Sequence, residues 1–162
     1  MNIRPFDSKD RTRLKEIITS IANFNGADKA IALELIDDVI AKEQKSDYII
    51  YVCEDETNIV QAYVCFGKTP LTESTFDFYW CVVDQDFQRH GLGFRLFQFV
   101  ETEVQRLGGK LLMCETSSLD SYDRVLKLYE KLGYQFVARI KNFYREGDDK
   151  FIYMKDVSQR SI

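Results

Sequence analysis

The sequence predicts an α/β fold in which a mixed sheet is flanked by helices. Segments with helical periodicity alternate with strand-like apolar segments along the 162 residues. Two consecutive strand segments are joined by a short polar turn, which is typical of an antiparallel hairpin. Near the middle, an apolar strand runs into a glycine-bearing loop that opens directly into a helix. Alternating helices together with an antiparallel hairpin indicate a mixed sheet.

The N-terminal part of the chain predicts a strand, two helices and a hairpin. The first helix has apolar residues at three- and four-residue spacing, and Asn25-Gly26 separates it from the second. The second helix carries its apolar residues on one inward face. The predicted bounds are a strand over 3–6, helices over about 10–21 and 28–45, and hairpin strands over 48–55 and 58–68.

The remaining part predicts two further helices and four strands. Gly108-Gly109 ends the first of these helices, and Gly133 ends the second, for which Asp120 is the expected cap. A turn over 146–149 precedes the last strand. The predicted elements are strands over about 75–83, 111–115, 134–140 and 150–155, and helices over about 93–107 and 120–132. The whole chain thus predicts about seven strands and about four helices.

Composition favours a globular enzyme or small-ligand protein over a nucleic-acid binder. A length of 162 residues fits one domain, and 45% apolar residues supply a core. The formal charge of −4 leaves no basic excess to neutralise phosphates. No apolar run approaches the ~18 residues of a membrane span, and the N-terminus lacks an apolar signal core. We therefore expect a cytoplasmic protein without membrane association.

The cysteines and the single histidine indicate neither a metal site nor a cysteine nucleophile. All four cysteines fall in apolar, strand-like runs, without a Cys-x-x-Cys pair. Cys81 is nearest the glycine loop, but the only imidazole available as its base, His90, lies inside that loop. We expect all four thiols to be core residues and no metal to be bound. These cysteines are Cys53, Cys65, Cys81 and Cys114.

The loop between the strand ending at Val83 and the following helix has the character of an anion cradle. Gly91 and Gly93 lack Cβ atoms, so the backbone can adopt positive φ and approach a ligand. The first N–H groups of the helix and its dipole favour phosphate or pyrophosphate. A mononucleotide P-loop would need Gly-Lys-Ser/Thr, and a dinucleotide fingerprint would need a glycine where Leu96 stands, although Glu115 lies near the expected ribose-binding position.

A third pattern fits the loop better. The run Gln88-Arg89-His90-Gly91-Leu92-Gly93 matches the Gln/Arg-x-x-Gly-x-Gly/Ala signature of the GNAT superfamily of N-acetyltransferases, which this chain resembles. The segments VLKLYEKLGYQFVARI and FYREGDDKFIYMK also resemble that family's later elements. The resemblance implies a single GNAT domain over residues 1–155, with a mostly antiparallel mixed sheet, and a C-terminal tail over 156–162. The chain departs from the family pattern at Gln85, where proline is common, and at Arg89, where glycine is common.

The resemblance implies acetyl-coenzyme A as co-substrate and assigns the residues that bind it. In the family, the loop binds the pyrophosphate, while the end of the preceding strand pairs with the pantetheine arm and a backbone N–H nearby stabilises the oxyanion. The corresponding residues here are Val82, Val83, Gln88, Arg89, His90, Gly91, Leu92 and Gly93.

Tyr129 is the candidate proton donor for the leaving thiolate. It matches the tyrosine of the family's Leu-Tyr-x-x-x-Gly-Phe/Tyr segment, which lies near the coenzyme sulfur in many members. A phenol of pKa ~10 can donate to a thiolate whose conjugate acid has pKa ~8.5. The alternative is that Tyr129 is a core aromatic residue on the inward face of its helix.

The base that deprotonates the substrate ammonium is predicted to be a carboxylate. Asp77 is the leading candidate because it stands among Phe76, Phe78 and Trp80 and shares one strand face with Tyr79. Glu73, Glu115 and a water-mediated route stay open as alternatives, and each carboxylate has the competing interpretation of an exposed or paired charge.

Two classes of function follow from these residues. The first is an enzyme that moves an acetyl group to a primary amine of a small molecule or peptide. The second is a non-catalytic acyl-coenzyme A sensor on the same fold. The acidic residues, including Asp148 and Asp149, would suit a cationic acceptor, and homodimers are common in the family. A nicotinamide oxidoreductase is the more distant third interpretation.

Overall fold

The structure, a computed structural model, describes residues 2–158 and contains the predicted alternation of strands and helices. The strands are β1 Asn2–Pro5, β2 Ile49–Glu54, β3 Val60–Lys68, β4 Thr75–Val83, β5 Leu111–Ser117, β6 Gln135–Arg145 and β7 Asp148–Asp156. The α-helices are α1 Arg11–Ser20, α2 Gly26–Lys42, α3 Leu92–Arg106 and α4 Asp123–Lys131.

The strands form one seven-stranded sheet in the order β1-β2-β3-β4-β5-β7-β6. Pairings β1–β2, β2–β3, β5–β7 and β6–β7 are antiparallel, whereas β4 and β5 are parallel. The parallel pairing runs only from Thr75 opposite Leu111 to Phe78 opposite Cys114, although both strands continue beyond it. The predicted fold class, a mostly antiparallel mixed sheet with four helices, is confirmed.

The described chain forms two compact units, and the first comprises the residues up to Gly67 together with Trp80–Phe97. Its core lies between α1, α2 and β2–β3, and the inward faces predicted for both helices are confirmed. Phe24 packs against Trp80 with ring centroids 5.0 Å apart. The buried core residues of these elements include Leu14, Ile17, Ile18, Ala32, Leu35, Ile36, Ile50, Val52, Tyr63 and Cys65.

The second unit comprises Lys68–Tyr79 and the residues from Gln98 onward. Gly109 shows how closely α3 and β4 pack in this unit, because a Cβ atom there would lie 2.8 Å from the ring of Phe76. The alternating side chains of β4 and β5 that face this core are buried, as are the facing residues of α3. These residues are Phe76, Phe78, Leu112, Cys114, Val100 and Val104.

Two predicted helix starts differ from the structure for reasons of capping. Asn25 accepts hydrogen bonds from the N–H groups of Ala27 and Asp28 at 2.8 and 2.9 Å, so α2 begins at Gly26. Asp120 makes no capping hydrogen bond; it begins a 3-10 turn, and α4 starts only at Asp123. The helix α2 was predicted to end at Lys45, but it ends at Lys42 and is followed by a 3-10 turn over Glu43–Lys45.

The sixth strand is longer than predicted because it contains a wide bulge. Ile140 pairs with Lys150 and Arg145 with Asp148, so residues 141–144 stand opposite one residue, Asp149. Asn142 has φ +51° within the bulge. The Asp149 carboxylate accepts the N–H of Asn142 at 2.7 Å, and the Asn142 side-chain oxygen accepts the N–H of Gly147 at 2.9 Å.

The C-terminal boundary of the predicted domain lies within an ordered part of the chain. β7 ends at Asp156, and Val157 is buried, with its N–H donating to the carbonyl of Lys110 at 2.8 Å. The predicted tail over 156–162 otherwise falls largely on residues 159–162, which lie outside the described residues.

Candidate functional site

The glycine loop of the first unit has the backbone shape of an anion cradle. Arg89 has φ +68° and Gly91 has φ +77°, so two residues of the loop lie in the left-handed region immediately before α3. The N–H of Arg95 donates to the carbonyl of Gly91 at 3.1 Å, which marks the first helical hydrogen bond. The N–H groups that precede Arg95 in the first turn have no intrahelical acceptor and are suited to an anion.

The structure corrects the role predicted for Gly93. Gly93 lies within the first turn of α3, and the second left-handed residue is Arg89 instead. A Cβ atom at Gly91 would have no atom within 4 Å, so the space outside the loop is open at this point. The loop is therefore accessible to a ligand at the residue where the backbone could approach it most closely.

The predicted coenzyme-binding residues divide into exposed and buried ones. Four consecutive loop residues, Gln88–Gly91, are exposed, whereas the side chains of Leu92 and Val82 are 7% and 2% exposed and belong to the core. The Gln88 side-chain amide donates to the Val83 carbonyl at 3.1 Å and ties the loop to the end of β4. The side chains of Val82 and Leu92 are therefore not available to a ligand.

The start of the loop is held by a residue that sequence reasoning did not single out, Asp84. Its N–H donates to the Gln61 carbonyl at 2.8 Å, and its carboxylate accepts the N–H of Asp86 at 3.1 Å. Asp84 is only 8% exposed, and its carboxylate also forms an ion pair with Arg13 of α1. An aspartate often accepts the backbone N–H two residues later and so caps a turn. The sequence contained this signal, because Asp84 directly follows the strand that ends at Val83.

Gln85 supplies a contact that proline could not make. Its side-chain amide donates to the carbonyl of Ser20 at the end of α1. Arg13 of the same helix also donates to the Val60 carbonyl at 3.0 Å. The departure of Gln85 from the family pattern is therefore explained by a second attachment of the loop to α1.

A shallow depression of about 470 Å³ lies beside the first turn of α3 in the same unit. Hydrogen bonds from the hydroxyl of Thr57 and the N–H of Ile59 hold the pKa of Asp55 below its ordinary value. The depression is lined by Asp55, Glu56, Thr57, Gln61, Leu92 and Arg95.

In the second unit, Tyr129 is the buried member of an aromatic cluster. It is 5% exposed and lies on α4, where its ring centroid is 5.1 Å from that of Tyr153 and 5.6 Å from that of Tyr134. Burial raises the pKa of Tyr153, and burial together with neighbouring acids raises that of Tyr134. The predicted inward position of Tyr129 is confirmed; this position is shared by the catalytic and the core interpretations.

The thiol of Cys114 belongs to this aromatic cluster. Burial raises the pKa of Cys114 well above its ordinary value, while the hydroxyls of Tyr134 and Tyr129 act in the opposite direction through hydrogen bonding. Cys114 is 1% exposed, and its cross-strand partner on β7 is Tyr153. The sequence placed this thiol in the core but did not associate it with Tyr129.

Asp77 is partly buried and has a hydrogen-bond partner. One carboxylate oxygen accepts the Thr69 hydroxyl at 2.8 Å, and the Thr69 N–H in turn donates to the Thr75 carbonyl at 2.9 Å. Asp77 and Tyr79 alternate with the buried Phe76 and Phe78, so the predicted strand parity is present.

The other candidate bases have different surroundings. Glu115 forms an ion pair of 2.5 Å with Lys150, and its side chain is half-exposed. The Lys150 ammonium also lies 3.9 Å from the centre of the Phe143 ring. Glu73 is exposed in the segment before β4. Glu115 is thus already paired with a cation, whereas one oxygen of Asp77 is bound to a neutral hydroxyl.

The expectation that Asp148 and Asp149 would attract a cationic acceptor is wrong. Each is only 4% exposed. Asp148 accepts the hydroxyl of Ser117 and pairs with Arg145, while Asp149 pairs with Arg139 and supports the bulge in β6. The two aspartates begin β7 rather than forming a turn, and their charges are used within the hairpin.

The remaining thiols have the environment of core residues. Burial raises the pKa of Cys81 to about 12 and also raises that of Cys53 and Cys65. Within residues 2–158, no group of three His, Cys, Asp or Glu side chains is arranged to hold a metal ion. In the same part of the chain, no helix is both long and apolar enough to span a bilayer.

Comparison with known proteins relates both units to acetyltransferases. A family model described as the acetyltransferase (GNAT) domain matches residues 46–136, more than half of the chain. The structure also matches a crystal structure described as an acetyltransferase of the GNAT family from Desulfovibrio desulfuricans. That match has a TM-score of 0.90 and 34% identity, and it covers 96% of this chain and 98% of the other.

Two further relatives are more distant. An acetyltransferase from Salmonella typhimurium, solved with its cofactor acetyl-CoA, has a TM-score of 0.74 at 19% identity over 100% of this chain and 96% of the other, a likeness of fold. S-(2-succino)cysteine N-acetyltransferase of Bacillus subtilis (strain 168) is 26% identical over 87 residues, 52% of this chain. The chain spans about half the length of that curated relative, 53%.

Proposed function

Because the chain belongs to the GNAT family of acetyltransferases, we propose that it transfers an acetyl group from acetyl-coenzyme A to a primary amine. The acceptor is a small molecule or a peptide, and the amine attacks the thioester directly while both substrates are bound. The observation that carries the proposal is the loop before α3, with its left-handed residues Arg89 and Gly91 and the open space outside Gly91.

The residues of the loop fit a pyrophosphate. The helix N-terminus supplies N–H donors and a positive dipole end, and the exposed Arg89 adds a cation beside them. Backbone groups at Val82 and Val83 orient the pantetheine arm, and a backbone N–H in this region stabilises the oxyanion. When bound, acetyl-coenzyme A supplies an acetyl thioester, whose cleavage releases a thiolate.

Tyr129 donates the proton that this thiolate requires. Its hydroxyl is buried against the Cys114 thiol and two tyrosine rings, so no bulk water competes with it as the proton donor. A phenol is a weaker acid than a thiol by ~1.5 pKa units, a difference small enough for proton transfer.

Asp77 accepts the proton of the substrate ammonium, directly or through a water molecule. Its carboxylate is oriented by the Thr69 hydroxyl, which leaves lone pairs for a second hydrogen bond. A primary ammonium has pKa ~10, so a base is needed near neutral pH to produce the nucleophilic amine.

Binding of acetyl-coenzyme A is the first test of the proposal. Acetyl-coenzyme A should raise the melting temperature through preferential binding to the folded chain, whereas NAD and ATP should do little. Tighter binding of NAD than of acetyl-coenzyme A would contradict the assignment. Binding without transfer to any amine would support the acyl-coenzyme A sensor instead.

Turnover by variants tests the two catalytic assignments. Tyr129→Phe should keep coenzyme affinity and lower kcat by about 100-fold. Asp77→Asn should lower the transfer rate most at neutral pH, and the defect should shrink as the pH approaches the amine pKa of ~10. If Asp77 only attracts a cationic acceptor, KM should rise while kcat is largely preserved.

The acceptor is best sought with a panel of primary amines. S-(2-succino)cysteine belongs in that panel because a partial relative is named for it, and a peptide with a free N-terminus and a polyamine represent the other classes. Release of free coenzyme A thiol reports transfer to each, and a matched reaction without amine measures hydrolysis.

A further inference from the structure

We propose that the outer edge of strand β6, residues Gln135–Arg145, is the contact surface of a two-fold symmetric dimer, and that its partner is a second copy of this chain. The two copies meet edge to edge, with Ile140 on the two-fold axis. The contact does not depend on acetyl transfer, so it goes beyond the proposed function.

The two edge strands of the sheet differ in how they are protected from association. β1 and β6 end the strand order among the described residues. β1 has only four residues, ends in Pro5, and holds Arg4 in ion pairs with two acids. Short length, proline and charge are common means of protecting an edge. β6 has 11 residues, and all of them except Ala138 are exposed.

The exposed apolar side chains of β6 are arranged as a palindrome. Among the described residues, ten large apolar or aromatic side chains are exposed, and five of these lie on β6. Ile140 stands at the centre, and the others lie three and four residues before and after it. An antiparallel copy of the strand aligned on Ile140 therefore brings apolar residues opposite apolar residues, as a two-fold contact requires. The five residues are Phe136, Val137, Ile140, Phe143 and Tyr144.

Apolar side chains occur on both faces of β6, which favours an edge-to-edge contact. The Phe136 ring packs against Phe151 and Tyr153, with centroid distances of 5.6 and 5.4 Å. Phe143 lies instead beside Lys150, whose ammonium is 3.9 Å from the ring centre. Tyr153 and Lys150 are three residues apart on the regular strand β7, so they project from opposite faces. A helix on one face would cover one of these groups, whereas a second edge strand meets both.

The exposed area is large enough for a stable dimer. The five apolar side chains of β6 are between 43% and 54% exposed. Since a whole aromatic side chain can bury about 150–250 Å², they present roughly 450 Å² in each protomer. The exposed polar side chains and backbone of the strand raise the surface that a second edge can cover to roughly 800 Å² per protomer, the size of a standard interface.

The cations of β6 are compensated within the same hairpin. Arg139 forms an ion pair with Asp149. The N–H of Asn142 and the Arg139 guanidinium hold the pKa of Asp149 below its ordinary value, and the charge of Lys141 acts in the same direction. In a contact aligned on Ile140, Arg139 of one protomer lies opposite Lys141 of its partner, and the two Asp149 carboxylates offset this repulsion. Little positive charge is left to attract an acidic partner protein.

The same geometry limits association to two copies. The bulge over residues 141–144 interrupts regular backbone pairing, so side chains rather than a continued hydrogen-bond ladder hold the two edges together. A two-fold contact uses the β6 edge of both protomers and leaves only the protected β1 edges outside. The assembly is therefore a closed dimer.

Sedimentation velocity from about 1 to 100 μM tests the occupant of the edge. The unmodified protein should reach twice the mass of one chain. Ile140→Lys places two like charges on the axis and should weaken association by at least about 100-fold. The matched control, Ile31→Lys, alters an isoleucine of similar exposure, 51%, on α2 and should leave the dimer unchanged.

Thermal unfolding of each variant shows that it folds, and Phe143→Ser takes the place of Ile140→Lys if the latter does not. A monomer at every concentration would overturn the second copy as the occupant of the edge. A dimer that neither substitution weakens would overturn the edge as the contact surface.

Disulfide cross-linking under mild oxidation tests the alignment. Ile140→Cys should cross-link with itself, since directly opposite Cα atoms of antiparallel strands are about 5 Å apart, within reach of a disulfide. Phe136→Cys should cross-link with Tyr144→Cys in a mixture but not with itself. The unmodified protein and Ile31→Cys measure the background from the native cysteines and from random collision. An Ile140→Cys yield no higher than that background, or self-linking of Phe136→Cys, would overturn the alignment on Ile140.

Discussion

The glycine loop of the first unit and the aromatic cluster of the second owe their structures to different kinds of interaction. The loop, Gln88–Gly93, is largely exposed and owes its shape to backbone angles at Arg89 and Gly91. The cluster, formed by Cys114, Tyr129, Tyr134 and Tyr153, is buried and owes its shape to packing among β5, α4, β7 and the chain after α4.

This difference determines whether each region can be predicted from the sequence and which property a substitution in it changes. A backbone-defined loop depends on a few adjacent residues, so its pattern is local in the sequence. A side-chain cluster depends on neighbours that are distant in the sequence and close only after folding. We therefore expect substitutions in the loop to affect ligand binding more than stability, and those in the cluster to affect both or to act through pKa values.

The largest expected effect is at Gly91. Gly91→Val should weaken acetyl-coenzyme A binding by about 100-fold, equivalent to about 2.7 kcal/mol, because it strains a residue at φ +77° and projects into the open space. Gly147→Val is the matched control, since Gly147 has the same φ and an equally open surrounding. Both variants should lose similar stability by chemical denaturation, but only Gly91→Val should lose coenzyme binding by calorimetry. Equal binding losses would show that the loop acts through global stability.

A smaller effect is expected where the loop is attached to α1. Asp84→Ala removes the carboxylate that caps the turn at Asp86 and that is the more buried partner of the ion pair with Arg13. The substitution should lower the free energy of unfolding by about 2 kcal/mol and also weaken coenzyme binding. Asp37→Ala breaks the exposed pair with Arg11 and should change stability by no more than about 0.5 kcal/mol. Similar losses in the two variants would mean that Asp84 contributes only a surface charge pair.

The aromatic cluster should be distinguished from the loop by its response to alkali. The folded Cys114 stays protonated above the ordinary thiol pKa of ~8.5, whereas the unfolded thiol ionises, so the unfolded state binds fewer protons and stability falls as pH rises. Cys114→Ala should remove about 1.4 kcal/mol per pH unit from this fall above about pH 9.

Cys65→Ala should reduce the alkaline slope to a similar extent, because burial also raises the pKa of Cys65. Urea unfolding at several pH values measures both slopes. An unchanged slope for Cys114→Ala would show that its thiol ionises in the folded protein and is not enclosed by the cluster.

The smallest expected effect is at Arg89. Arg89→Gly removes the steric strain of a side chain at φ +68°. Glycine also makes the unfolded chain more flexible, which offsets part of this gain, so the net stabilisation should be about 0.5–1 kcal/mol. Leu71→Gly, at φ +63° in the second unit, should give a similar gain. A lower coenzyme affinity in Arg89→Gly alone would assign a phosphate contact to the arginine, whereas unchanged affinity would limit its role to the backbone.

The sequence predicted local features of the two regions but not the contacts between segments that are distant in the chain. The sequence predicted the bounds of the glycine loop, Gln88–Gly93, and offered an inward position on its helix as one interpretation of Tyr129, because both depend on short-range patterns. It did not predict the attachment through Arg13 and Asp84, which are separated by a long stretch of chain. It also assigned Asp148 and Asp149 to a turn, since the bulge opposite Asp149 has no local signature in the sequence.

The sequence by itself determined the order of strands and helices, the family and the position of the glycine loop before α3, because periodicity, glycine placement and capping act over a few residues. Only the tertiary structure decided that Arg89 replaces Gly93 as the second left-handed residue, that Asp77 accepts a hydrogen bond from Thr69, and that Tyr129 packs against Tyr153. These relations depend on strand register and on burial, which arise when distant segments pack together and exclude water.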